Sequence, residues 1–489
     1  MSPISIALGF IALIACCQLI WTRYRRHLSS IPGPFVASFS NLWKVAAVYC
    51  EDMPGWNIGV HEKYGPVVRI GPSHVSFSSP EAFQTIHASR QAFAKTNFYE
   101  VGAPPYHGEL LENLFSLRDT QRHTTLKRTI GGFYTKTAVK DFESKIDTCV
   151  GLFMSKLGEH VGSEALELDM SMWLHLFAYD CLSEINVSER LGFLEEGKDV
   201  GGKIASADQI FYLVGLLTQA PVLHLLYNFL RDLKPAEEAE PIFRFTLDKI
   251  RSREKASQTQ KDMLDKLLGL HQEQPDRLSI RDVTAAVYIN LTAGHDVLAI
   301  TLRAIWYYLA INRSILNKLR TEIFELGHDL SSPAVPWEKV SKLPYLNAVI
   351  QEALRIHPNT GTIIERKAPS EGVVIDGYSI PGGTTVGVNA WVLHRNKDIF
   401  GADVDKFRPE RWLEASEEKR LEMSRYLFSF GAGAHTCIGK NIAIMMITKL
   451  MVEFFQRYDM ALAHPERKWR VHGSWVTKQT EMNMVVRSL

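Results

Sequence analysis

Apolar positions divide the chain into stretches of different character. From Pro3 to Trp21 the run PISIALGFIALIACCQLIW carries no charge. A helix over it would reach roughly 28 Å, close to the hydrocarbon thickness of a bilayer. Arg23, Arg25 and Arg26 follow at once, a pattern that keeps this flank in the cytoplasm. A cleaved leader would begin with basic residues and end on small ones, and neither is found, so the run reads as a retained anchor. Pro32-Gly33-Pro34 then breaks any helix. It predicts a stiff connector over 27–54 that separates an anchor (1–26) from a body (55–489).

Within the body, VVRIG at 67–71 and HVSFS at 74–78 read as short strands. Helical periodicity then dominates to about residue 357. Mixed strands and turns follow around Gly382-Gly383. A last helix starts near Cys437 and runs to about Tyr458, and Val485-Val486 belongs to a closing strand pair. Polar stretches at 251–262 and 271–279 read as solvated loops. The fold class is therefore mainly α with small β-sheets, in one domain. One helix stands out. Ser279 and Asp282 form a capping-box pattern, and apolar residues continue from Val283 to about Leu309. Such a helix belongs in the core. Gly294 at its centre costs about 1 kcal/mol against alanine. Two readings are open for it: a bulky group approaching the backbone, or tight packing of another helix.

Composition and charge act mainly by exclusion. A net charge of +1 gives no electrostatic case for nucleic acid as a partner. The six cysteines contain no C-x-x-C pair, so neither a disulfide framework nor a zinc cluster is indicated. Only Cys437 stands in a setting that asks for chemistry. Phe430, Gly433, Cys437 and Gly439 form F-x-x-G-x-x-x-C-x-G within FSFGAGAHTCIGKNIA at 428–443. Glycines at 431, 433 and 439 let a loop bend sharply and let backbone amides approach the sulfur. A helix beginning after the cysteine turns its positive end toward a thiolate. Phe430 would pack beside that ligand and limit water.

This segment resembles the haem-binding loop of the cytochrome P-450 superfamily, and two further motifs stand in that family's order. Glu352-Ala353-Leu354-Arg355 is E-x-x-R, whose ends share a helix face. Phe407-Arg408-Pro409-Glu410-Arg411-Trp412 is similar to F-x-P-E-R-F. The resemblance implies a cytochrome P-450 fold preceded by one transmembrane helix. It implies haem b with Cys437 as axial thiolate, in contact with Phe430, Gly433 and Gly439. It also implies a structural triad of Glu352, Arg355 and Arg411 behind the cysteine loop. Haem propionates need cations. The family pattern suggests His123, Lys127 and Arg128 in HTTLKR, Arg366, and His435 where arginine is usual.

The family's central helix usually reads A-G-x-D-T-T, and this chain has Ala293-Gly294-His295-Asp296-Val297-Leu298. The likeness implies that Gly294 faces the haem and that Asp296 is an acid relay. Val297 takes the place of the threonine and lacks its hydroxyl. Proton delivery by a placed group is worth about two to four powers of ten in rate. Three accounts stay open: a water or substrate hydroxyl replaces the alcohol; Thr301 or Thr292 contributes; or dioxygen is not activated in the ordinary way.

The leading expectation is a monooxygenase that oxidises a lipophilic small molecule with O2, in the manner of filamentous-fungal secondary-metabolism members. The alternatives are a haem-thiolate isomerase or dehydratase, and a non-enzymatic haem carrier. By family pattern the pocket is lined from 98–117, Ile289, Val297, Thr360 to Ile364 and Val476 to Lys478. No G-x-G-x-x-G follows a strand, so electrons must come from another protein. The resemblance implies NADPH-cytochrome P-450 reductase, with cytochrome b5 as a further donor. It places the chain on the endoplasmic reticulum membrane, single-pass, with its body facing the cytoplasm. Lys440 and Lys449 are candidate docking cations.

Overall fold

The computed structural model describes residues 17–24, 27–88, 93–161, 166–233, 240–255, 259–327 and 334–489. Most of the apolar run read as an anchor, residues 3–16, lies outside the described residues. Residues 17–24 are helical.

Helices make most of the body. Thr120–Ile130 (α1), Glu143–His160 (α2), Met170–Val187 (α3), Lys203–Leu217 (α4), Pro221–Arg231 (α5) and Pro241–Lys255 (α6) precede the 32-residue helix Ile280–Ile311 (α7). Pro344–Ile356 (α8) and Lys440–Arg457 (α9) follow. The capping box expected for α7 is formed. Ser279 Oγ accepts from the Asp282 amide, and Asp282 Oδ2 accepts from the Ser279 amide at 3.0 Å. Asp169 caps α3 by accepting from the Met172 amide at 3.1 Å. Nearly every residue of α3 is buried, and it packs along α7. These two helices share one hydrophobic core with α2, α8 and α9. By length and composition α7 is apolar enough to cross a bilayer, but 67% of its most apolar window is buried inside the protein. It is the core helix that its sequence predicts. Helix α6 runs to Lys255, into the stretch read as a loop, because Ile250 continues its buried face.

The strands are short: Val67–Gly71 (β1), His74–Phe77 (β2), Ala94–Lys95 (β3), Leu166–Asp169 (β4), Arg366–Lys367 (β5), Thr385–Val388 (β6), Tyr458–Leu462 (β7), Arg470–Gly473 (β8), Thr477–Thr480 (β9) and Asn483–Ser488 (β10). The largest sheet has the order β1-β2-β6-β5-β3, with β6 parallel to β2 and the other pairs antiparallel. A second sheet, β7-β10-β4, ties the end of the chain to the start of α3. Strands β8 and β9 form a hairpin.

The segment 27–54 does not stand apart from the body as the Pro-Gly-Pro reading expects. Leu28 and Ile31 are buried in the core beside β1 and β2. The Arg69 amide donates to Pro32 O at 2.7 Å. A Cβ on Gly33 would lie 2.3 Å from Arg69 O. The stiff Pro-Gly-Pro turn is thus docked against a strand edge, where the glycine allows the close approach.

Candidate functional site

The E-x-x-R helix and the cysteine loop are joined through buried polar contacts. On α8, Arg355 Nε donates to Glu352 Oε2 at 2.9 Å and Nη2 to Oε1 at 2.7 Å. Arg411 Nε reaches both carboxylate oxygens at 3.1 Å, and Trp412 Nε1 adds a bond at 3.0 Å. Glu352 and Arg355 are fully buried and Arg411 nearly so. His394, absent from the sequence reading, completes the tie. Its Nδ1 donates to Arg355 O at 3.0 Å, and its Nε2 accepts from the Phe428 amide at 2.8 Å. Phe428 opens the loop that leads to Cys437.

That loop folds as its glycines require at two positions. Gly431 and Gly433 have φ of 70° and 58°. A Cβ on Gly433 would also stand 2.4 Å from His87 O. Gly439 differs. Its φ is −78°, which any residue adopts, and a Cβ there would meet Cys437 Sγ at an ordinary 3.9 Å. The Cys437 amide donates to Phe430 O at 2.7 Å. Helix α9 begins three residues beyond the cysteine. Burial pushes the thiol pKa up, while amides of Gly439 and Lys440 and the charge of Lys127 favour its thiolate.

Cys437 opens into a cavity of about 530 Å³. Apolar and aromatic side chains make most of the wall, among them Phe98, Phe115, Phe211, Ile289 and Trp475. The expected lining is largely found: Phe98, Tyr99, Val101, Gly102, Asn113 to Phe115, Ile289, Val297, Thr360, Thr362 to Ile364 and Val476. Lys478 is not part of it. Its ammonium pairs with Asp208.

At one side of the cavity nitrogen donors converge. Lys127 Nζ donates to Ala434 O and Thr436 O at 2.8 and 2.6 Å. Arg366 Nη1 donates to Tyr99 OH at 2.7 Å. Lys95, absent from the sequence reading, stands opposite Arg366 in the β3–β5 register and donates to Leu114 O and Phe115 O. None of these three cations has a salt bridge among the described residues. The rings of His123 and His435 lie 4.5 Å apart, each with a buried Nδ1 that lacks a partner among the described residues. Burial and the neighbouring cations push His123 down to about 4 and His435 to about 2. Burial and Arg366 likewise push Lys95 down to about 7. Like charges forced together, with orphaned donors between them, fit a ligand edge that carries carboxylates. A sulfur below and this donor set beside it are what haem b asks for. Arg128 does not join them; it is exposed on α1 and does not line the cavity.

Helix α7 supplies the wall opposite. Ala293, Gly294, Asp296 and Val297 all line the cavity. A Cβ on Gly294 would come within 2.7 Å of Leu182 Cδ1 on α3, so the glycine lies where α3 packs closely as well as on the cavity wall. Asp296 is buried, and neither carboxyl oxygen has a hydrogen-bond partner among the described residues. Val297 O accepts from Thr301 Oγ1 at 3.0 Å and from Asn359 Nδ2 at 3.1 Å. Thr292 Oγ1 donates to Tyr288 O at 3.0 Å. Of the two lysines read as docking cations, Lys440 is exposed, with its ammonium 5.6 Å from the Phe430 ring centre. Lys449 is buried instead, pairing with Glu143 at 3.0 Å and Asp147 at 2.7 Å on α2. The inward face of α9 puts it out of reach of a partner.

Comparison with known proteins agrees with this geometry. A family model for cytochrome P450 matches residues 37–485. The chain is 34% identical over 460 residues to cytochrome P450 monooxygenase cicH of Emericella nidulans, covering 93% of this chain and 92% of that protein. It is 31% identical over 486 residues to pisatin demethylase of Fusarium vanettenii, covering 96% and 92%. Cytochrome P450 monooxygenase mpaDE of Penicillium roqueforti is 34% identical over 490 residues, and the chain spans 56% of that longer protein.

Proposed function

The chain belongs to the cytochrome P450 family, haem-thiolate oxidoreductases that incorporate oxygen from O2, and on that premise we propose that it oxidises a lipophilic intermediate of secondary metabolism with electrons from NADPH through a separate reductase. One observation carries the reading: the Cys437 sulfur opens into a mostly apolar cavity flanked by cations that have no counter-ion among the described residues. Cys437 would ligate the iron, and Lys95, Lys127, Arg366, His123 and His435 would hold the propionates. When bound, the haem supplies the activation of dioxygen. The protein's part is positioning and proton control. Phe430 and the apolar wall exclude water, and Asp296 holds a proton at the edge of the cavity. The isomerase alternative rests on Val297 alone, whereas the relatives above carry monooxygenase or demethylase names.

The membrane reading has support beyond the N-terminal run. On α5, Val222, Leu225, Leu226, Phe229 and Leu230 point outward and are exposed. His224, Tyr227, Asn228 and Arg231 are half-buried on its other side. The apolar side of this helix faces out. Leu213 on α4, Leu42, Tyr49, Phe35 and Trp21 are exposed too. Arg23 Nη1 donates to Ser38 Oγ at 2.6 Å, which ties the N-terminal helix to the body. An exposed apolar set of this size suits a single-pass chain whose body leans on the endoplasmic reticulum membrane from the cytoplasmic side.

The absorption spectrum of the reduced, carbon-monoxide-bound protein tests the ligand. The wild type is expected to give the thiolate-type band, and Cys437→Ser to lose it. An unchanged spectrum in that variant overturns the assignment. Product that forms only when NADPH and reductase are both present is expected from the monooxygenase. Product without them favours the isomerase.

A further inference from the structure

Where α7 faces α3 lies a polar cluster that the family motif does not account for. His175 comes from α3, and His295, Asp296 and Arg303 from α7. All four are buried. Arg303 Nε donates to Ser171 O at 2.9 Å, and its Nη2 lies 3.2 Å from His175 Nδ1. A guanidinium has donors and no acceptor. His175 Nδ1 must therefore accept, and its one proton sits on Nε2. That proton points to His295 Nδ1 at 2.9 Å, which places the proton of His295 on its own Nε2. Burial keeps both rings neutral. It pushes His295 down to about 3, with Lys478 and Arg303 adding, and His175 well below its ordinary value. Tyr179 stacks on His295 with ring centres 3.8 Å apart and fixes its plane.

The same deduction removes a metal reading. Ligand atoms of His175, His295 and Asp296 lie within 4.8 Å of one another. With its proton on Nε2, however, His175 has no lone pair there to give.

Asp296 is the member left without a bond. Burial raises its carboxyl above the usual range, Asp208 acts in the same direction, and Lys478 and Arg303 oppose them. Its Oδ1 lies 3.8 Å from His175 Nε2, the donor now held by His295. We infer that His175 is a positioning residue for proton delivery, whose Nε2–H passes from His295 Nδ1 to Asp296 Oδ1 when the acid gives its proton to a water in the cavity. The acid's O–H bond breaks, the proton goes to that water, and a proton from solvent later restores the acid. His175 keeps its own proton throughout. Arg303, behind the ring, favours the ionised carboxylate. The acid thereby has a partner in a chain whose alcohol position is Val297. The use made of the proton rests on the monooxygenase reading; the switch itself does not. The groups that face Asp296 are His175 and Tyr179 on α3, His295 and Arg303 on α7, Asp208 on α4 and Lys478 on β9.

The test is infrared titration of the protonated carboxyl band in the haem-loaded full chain, assigned with Asp296→Asn. His175→Phe removes the donor, while His175→Gln retains an N–H. The Phe variant is expected to keep the acid protonated to roughly one pH unit higher, a tenfold shift in ionisation. The Gln variant is expected to titrate close to the wild type. Equal midpoints in the wild type and the Phe variant overturn the inference, as does an equal shift in both variants. Should the Phe variant fail to fold, ¹⁵N spectra of labelled histidines in the wild type decide the resting state. Nε2–H on both rings is expected, and Nδ1–H on His175 overturns it. None of these readings needs turnover, so an inert enzyme that shows the shift sinks the monooxygenase reading and supports the switch. In an active one, product per NADPH falls several-fold in the Phe variant while peroxide-driven turnover does not.

Discussion

Lys95 and Arg366 face each other directly across β3 and β5, and like charges in that register repel. The consequence is measurable. Burial and Arg366 lower Lys95 from 10.5 to about 7 in the haem-free fold. Between those values the unfolded chain binds the extra proton, so haem-free stability rises as pH increases from about 7 to 10. Carboxylates placed against the ammonium reverse the shift. Haem uptake at pH 8 releases the proton of the Cys437 thiol in any variant, so the wild type is expected to take up close to one proton more than Lys95→Met, read by unbuffered titration. Equal proton counts in the wild type and Lys95→Met remove Lys95 from the propionate site. Val297 makes the second residue-scale case. The hydroxyl of Thr301 already donates to Val297 O, so it is not free to replace the missing alcohol. Val297→Thr is expected to raise product per NADPH. No change would take this position off the proton path.

At the scale of elements, α8 and the cysteine loop behave as one piece. Glu352 gathers Arg355, Arg411, Trp412 and the Arg408 amide, and His394 joins Arg355 O to the Phe428 amide. Removing one partner of such a buried charge network costs about 3–5 kcal/mol. Glu352→Ala and Arg355→Ala are expected to give protein without haem, measured as Soret absorbance relative to protein absorbance. Full haem content in either variant counts against the coupling. Gly433→Ala adds a positive-φ strain and a clash with His87 O, and the same loss is expected.

For the whole molecule the open question is how the body meets a membrane. Helix α5 exposes its apolar side and packs on α4, which in turn meets the helix Leu42–Tyr49. Each exposed Leu or Phe buried in lipid contributes about 1.5–3 kcal/mol. In a chain lacking residues 1–26, Leu225→Glu with Phe229→Glu is expected to lower binding to sedimenting vesicles at least roughly tenfold. Unchanged binding would take the apolar face of α5 off the lipid contact.

The sequence by itself determined the features whose partners lie within a few residues: the Ser279–Asp282 box, the glycine turn at Cys437, the pairing of Glu352 with Arg355, and the burial of α7 along its apolar face. Tertiary structure decided which charges face the cavity. Lys127 turns inward and the next residue, Arg128, turns out, because one residue is about 100° of helix. Lys449 lies on the buried side of α9 against acids of α2, some 306 residues away. Lys95 comes from a two-residue strand with no periodicity to read, and His175 meets His295 across 120 residues. A local pattern fixes backbone conformation and the face that is buried. The partner, exposure and protonation of a charged or polar side chain depend on residues that only the folded chain brings beside it.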